Sequence, residues 1–181
     1  MNRKVTPMIL AGGIVAQSGS LGHTQDFSAR LNGFEEIGGL GAGETGAILS
    51  DGKGTLSLDV SKSQITYKLT YSGLSSDAQQ AHIHFGKLHV AGGIMAWLCQ
   101  SAAKPSPTAG TPTCPATGGA VTGTLTAASV IGPTPQNVTP GDFDAITDAL
   151  NSNTAYANVH TVKFPAGEIR GQVRRGDHDE Q

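Results

Sequence analysis

Ile65-Thr66-Tyr67-Lys68-Leu69-Thr70-Tyr71 decides the fold class of this chain. Large apolar side chains fall at 65, 67, 69 and 71, with polar ones between them. That period of 2 is the signature of a half-buried strand; a helix would scatter the same four residues around its axis. Upstream, residues 54–60 repeat the pattern, with Leu56, Leu58 and Val60 on one face. Residues 45–50 lie across the tight-turn sequence Asp51-Gly52-Lys53, and the two segments read as a hairpin. Further short strands are expected at 27–31, 80–85, 94–99, 120–127, 155–164 and 168–173. The chain is therefore expected to be all-β, an antiparallel β-sandwich or barrel.

One helix interrupts the strands. Thr139-Pro140-Gly141-Asp142 offers an N-cap, a proline at the first helical position and an acid in the first turn. Phe143, Ile146 and Leu150 then recur at helical spacing, which predicts a short helix over 140–150. Asp142, Asp144 and Asp148 read as its solvated face rather than as a metal cluster.

Composition bounds the function. The 181 residues include 25 glycines, about twice the ordinary share, and only 14% charged residues. A net charge of −2 and a pI near 6.3 remove the footprint of a nucleic-acid binder. No uninterrupted apolar run of about 20 residues exists, so no membrane-spanning helix is expected. Residues 1–22 begin with Arg3 and Lys4 and continue as a largely apolar stretch with small residues after it. That is the form of a secretory signal peptide. Cys99 and Cys114 flank a Pro-, Ser- and Thr-rich loop and are expected to form a disulfide, in keeping with a secreted, periplasmic or extracellular location. The glycine-rich 38–43 segment reads as a surface loop, and residues 176–181 as a polar tail.

The histidines carry the chemistry. In Ala81-His82-Ile83-His84-Phe85-Gly86, strand alternation puts His82 and His84 on one face, their Cα atoms about 6.5–7 Å apart. His160 shares a strand face with Tyr156 and Asn158, and His89 follows in a loop that could fold back. Three or four imidazoles from two strands and a loop suit copper or, second, zinc. His82, His84 and His160 are the expected ligands, His89 an optional fourth, and Glu168 a carboxylate placed to orient His160. The competing expectation is that the same histidines tie strands together without a metal, in an extracellular interaction module. His23 would become an N-terminal copper ligand if cleavage followed Gly22. No Gly-x-Ser-x-Gly sequence and no distinct carboxylate pair occur, so no catalytic residue is assigned.

The elements His82–Gly86, Cys99–Cys114, Gly119–Thr126 and Asn158–Gln172, in that order, resemble the CHRD (chordin-type) domain. The most specific are Asn158-Val159-His160-Thr161 and Gly167-Glu168-Ile169-Arg170-Gly171-Gln172. The resemblance covers roughly 26–175 and implies an exported single-domain binding protein, with an extracellular or periplasmic protein as one partner class. The His-x-His strand with a later histidine also looks like the copper site of Cu/Zn superoxide dismutase. The bridging-histidine and zinc-ligand pattern of that family is missing, so a copper redox enzyme is the third reading.

Overall fold

The computed structural model describes residues 24–38 and 46–176; the expected leader 1–22, His23, most of the 38–43 loop and the tail beyond Gly176 lie outside them. Among the described residues the strands are β1 (Gln25–Asn32), β2 (Lys53–Val60), β3 (Ile65–Ser72), β4 (Ala78–Phe85), β5 (Gly93–Cys99), β6 (Gly119–Leu125), β7 (Ala155–Thr161), β8 (Ile169–Gln172) and the two-residue β9 (Arg174–Arg175). They form one antiparallel sheet in the order β5-β4-β7-β8-β1-β2-β3-β6, with β9 paired to β1. The sheet rolls into an almost closed barrel, as its patterning predicts. The end strand β5 approaches the opposite end of the sheet, where the Tyr67 hydroxyl of β3, the strand next to β6, donates to the Leu98 carbonyl of β5 at 2.6 Å. The Cys99–Cys114 disulfide lies beside that seam.

Alternation explains the core. Leu56, Leu58, Ile65 and Leu69 are fully or almost fully buried, while their strand neighbours face outward. The nine-residue helix α1 (Phe143–Asn151) adds Ile146, Ala149 and Leu150 to the same core. It starts later than the sequence suggests. The Asp142 carboxylate, not Thr139, caps it by accepting from Ala145 N at 3.0 Å. Pro140 therefore precedes the helix, and Gly141 N is tied to the Val130 carbonyl instead.

The expected 45–50 arm of a hairpin is a second correction. Residues 46–50 form no strand, because both edges of β2 are already taken by β1 and β3. The segment lies instead against the turn after β1, with Ile48 N donating to the Gly33 carbonyl and Ala47 N to that of Glu36.

Strand β7 occupies the decisive position. All seven of its residues are buried, so both of its faces are covered. Ala155, Ala157 and Val159 enter the apolar core. Tyr156, Asn158 and His160 point the other way, toward a layer made by the chain around residues 33–38 and 86–92.

The two halves of the sheet meet where β8 passes β1, joined by the single pair Asn32↔Arg170. A Cβ at Gly171 would lie 2.1 Å from the Arg30 carbonyl oxygen, so only glycine permits this approach. Gly171→Ala should therefore lower unfolding free energy by at least about 3 kcal/mol in urea titration. The double variant Cys99→Ser/Cys114→Ser should lose up to about 3 kcal/mol, the chain-entropy value for a loop of this length.

Candidate metal centre

Strand register assembles the site. His82 of β4 stands opposite Asn158 of β7, and His84 opposite Tyr156. Each row of side chains lies on the outer, covered face. His160 falls two residues beyond Asn158 on that same face. One nitrogen from each of His82, His84 and His160 can be chosen so that all lie within 4.8 Å of one another. The three residues are 0%, 7% and 8% exposed. Three of the four expected ligands thus come together.

His89 does not join them. It sits on the outside of the 86–92 loop, and its Nε2 lies 3.3 Å from the Glu35 carboxylate. Glu168 does not touch His160 either. It precedes the first paired residue of β8 and follows Gly167, whose φ of 133° turns the chain there, so strand alternation does not hold at 168. Its carboxylate accepts from Ser50 Oγ at 2.5 Å, Ser75 N at 2.8 Å, Ser75 Oγ at 2.9 Å and Thr161 Oγ1 at 2.8 Å. Burial alone would raise its pKa, but these hydrogen bonds win and lower it. Glu168 ties the 50s loop and the turn after β3 to the end of β7.

Hydrogen bonds fix which ring nitrogen faces inward. His84 Nδ1 donates to the Gly92 carbonyl at 2.9 Å, and His160 Nδ1 to that of Pro165 at 2.9 Å. A carbonyl only accepts, so both protons sit on Nδ1, and each neutral ring carries its lone pair on Nε2. Both Nε2 atoms lie 3.0 Å from Asn158 Oδ1. Three acceptor atoms therefore converge. His82 Nδ1 is 3.2 Å from His160 Nε2, and its own Nε2 is buried without a partner.

Burial keeps the rings neutral. It lowers the pKa of His84 and of His160 to about 4, against bonds to Gly92 and Pro165 that work the other way. His82 is driven well below its usual value by burial first and by its two histidine neighbours second. Three unprotonated imidazoles at neutral pH are what a soft or borderline metal ion needs.

Several contributors were not legible as site residues. Asn158 sits at the point of convergence. Trp97 of β5, paired with His82, meets it edge-on at 4.4 Å between ring centroids. Tyr156 stacks on His84 at 4.6 Å and carries the Arg170 guanidinium 3.4 Å from its ring centroid. Arg170 NH2 in turn donates to the carbonyls of Lys87 and Val90, which fastens the 86–92 loop over the site. Glu36 is buried and raised in pKa by that burial, and Asn158 Nδ2 faces it at 3.5 Å. Register gives a signal for two of them, since Trp97 and Arg170 fall beside known site positions once β5 and β8 are paired.

A family model, the CHRD domain, matches residues 27–173, from β1 to the residue after β8. No curated protein and no solved structure matches the chain.

The lowered pKa values set a stability prediction for the metal-free protein. Between pH 6.5 and 4 the unfolded chain binds protons at these histidines that the folded chain refuses, so folding stability falls as pH drops through that window. The loss is on the order of 3 kcal/mol per imidazole. Glu36, raised in the fold, works in the opposite sense and offsets part of it. Urea midpoints measured across this range should decline toward acid, and His84→Gln should flatten the slope.

Proposed function

The chain belongs to the CHRD-domain family, and we propose that this member is an exported metal-binding protein that takes up copper, with zinc second, at His82, His84 and His160. The convergence of lone pairs carries the reading. His84 Nε2 and His160 Nε2 each lie 3.0 Å from Asn158 Oδ1, and with both ring protons on Nδ1 no proton fills either gap. A cation among them turns that repulsion into attraction. The two carbonyls that hold the Nδ1 protons play the part usual for outer partners of metal-bound histidines, fixing the tautomer and aiming the ring. The 3.2 Å between His82 Nδ1 and His160 Nε2 is close to the spacing of two nitrogens sharing an ion at about 2.0–2.1 Å. Export is supported by the leader-like residues 1–22 and by the disulfide. The CHRD-like domain then spans roughly residues 26–175, between the leader 1–22 and the polar tail 176–181.

A second reading rests on a specific feature of the same geometry. Turning the Asn158 amide over would let its NH2 donate to both Nε2 atoms and leave its oxygen facing Glu36. Glu36, raised in pKa, could then be the donor. The histidines would be structural and the domain a metal-free interaction module.

Metal content separates the two. Protein exported from its native host and dialysed should retain about one copper or zinc ion per chain by mass spectrometry. His84→Ala and His160→Ala should each weaken uptake by more than the roughly 10–100-fold that loss of an outer partner produces. Trp97 is the only tryptophan and touches His82, so its emission should change in step with loading. Folded wild-type protein that takes up no metal would leave the structural reading standing.

A further inference from the structure

Resting on that metal-site reading, we infer that the centre selects monovalent copper over divalent copper and zinc. The inference follows from charge and coordination number. Every candidate ligand atom is neutral: three imidazole nitrogens and, behind them, the amide oxygen of Asn158. No carboxylate or thiolate stands among them. Glu168 is fully engaged with Ser50, Ser75 and Thr161, and both cysteines are in the disulfide. Removing an ion from water costs free energy in proportion to the square of its charge. A divalent ion therefore needs roughly four times the compensation of a monovalent one. Zinc and divalent copper usually recover this from anionic ligands or a bound hydroxide in a polar, open site.

The surroundings add nothing negative on balance. Two buried charged groups frame the centre, Glu36 beyond Asn158 and Arg170 beyond Tyr156, and they are opposite in sign. Trp97 closes the side next to His82, and its indole nitrogen, buried and without a partner, is a donor that cannot ligate. Three nitrogens also match the coordination number that monovalent copper accepts. Zinc would need a fourth ligand as well, Asn158 Oδ1 or a water, and divalent copper a tetragonal set. The centre would thus hold copper in its reduced form and resist its oxidation.

Competition titration of the metal-free full chain tests this. Monovalent copper would be titrated without oxygen against bicinchoninate, and divalent copper and zinc against nitrilotriacetate. One monovalent copper should bind per chain, at least about tenfold tighter than either divalent ion. Asn158→Asp places a carboxylate at the point of convergence with almost no change in shape. It should narrow that gap by about 100-fold or more. Tighter binding of zinc or divalent copper by wild-type protein would overturn the inference and leave the metal site intact. Failure of all three ions to bind would remove the site itself. The wild-type comparison decides the matter even if the variant does not fold.

Discussion

A strand buried on both faces is the constraint on which the rest of the structure depends. In β7, Ala155, Ala157 and Val159 meet an ordinary apolar core, while Tyr156, Asn158 and His160 are buried under loops. Water cannot reach these polar groups freely, so protein atoms must answer each N–H and each lone pair. The loops supply those atoms. Pro165 and Gly92 offer carbonyls to His160 and His84, and the Tyr156 hydroxyl bonds both the N–H and the carbonyl of Gly92. The covering segments are thus parts of the site rather than connections that happen to pass over it.

Charge is handled in the same way. Arg170 and Glu36 are both buried, yet each is satisfied mainly by backbone. Arg170 donates to two loop carbonyls and rests on the Tyr156 ring, while Glu36 accepts from the N–H groups of Ile37 and Gly38. Burying each costs free energy, and each holds a loop in return: 86–92 in one case, the chain after β1 in the other. Between these two charges lies a cluster with none of its own.

This arrangement explains what was legible in the sequence and what was not. Alternation at Leu56, Leu58, Ile65, Tyr67, Leu69 and Tyr71 depends only on the pleat, so the all-β fold could be read directly. The same rule put His82 beside His84 and His160 beside Asn158, and only the pairing of β4 with β7 was needed to unite them. The rule fails where the ladder stops. Glu168 is two residues from Arg170 and would lie next to His160 in a continued strand, but the chain turns at Gly167 and takes it elsewhere. His89 lies in a loop whose course is set by distant groups, Arg170 and Tyr156, and no local pattern encodes it. The 45–50 segment has strand-like residues but no free sheet edge to join, a fact known only once the strand order is known.

The cluster breaks the rule that the rest of the layer obeys. Most neighbouring polar groups have a partner of opposite kind, whereas Asn158 Oδ1 meets His84 Nε2 and His160 Nε2 like to like, and His82 Nε2 and Trp97 Nε1 are buried with no partner. The like-to-like contacts and the unpartnered His82 Nε2 and Trp97 Nε1 gather around one cluster, and departures of this kind are expected at functional sites. The tautomer locks do not need a metal to exist, because they are made by backbone carbonyls fixed through Tyr156, Arg170 and the β7–β8 turn. The pocket is therefore shaped without an ion, and binding one would not need to order side chains that are already held. The like-to-like contacts at Asn158 Oδ1 meanwhile cost the empty protein stability, so an ion that satisfied them would stabilise the fold as it bound. Under the proposed function, folding and ligation would become one equilibrium, joined through residues 78 positions apart in the chain, His82 and His160.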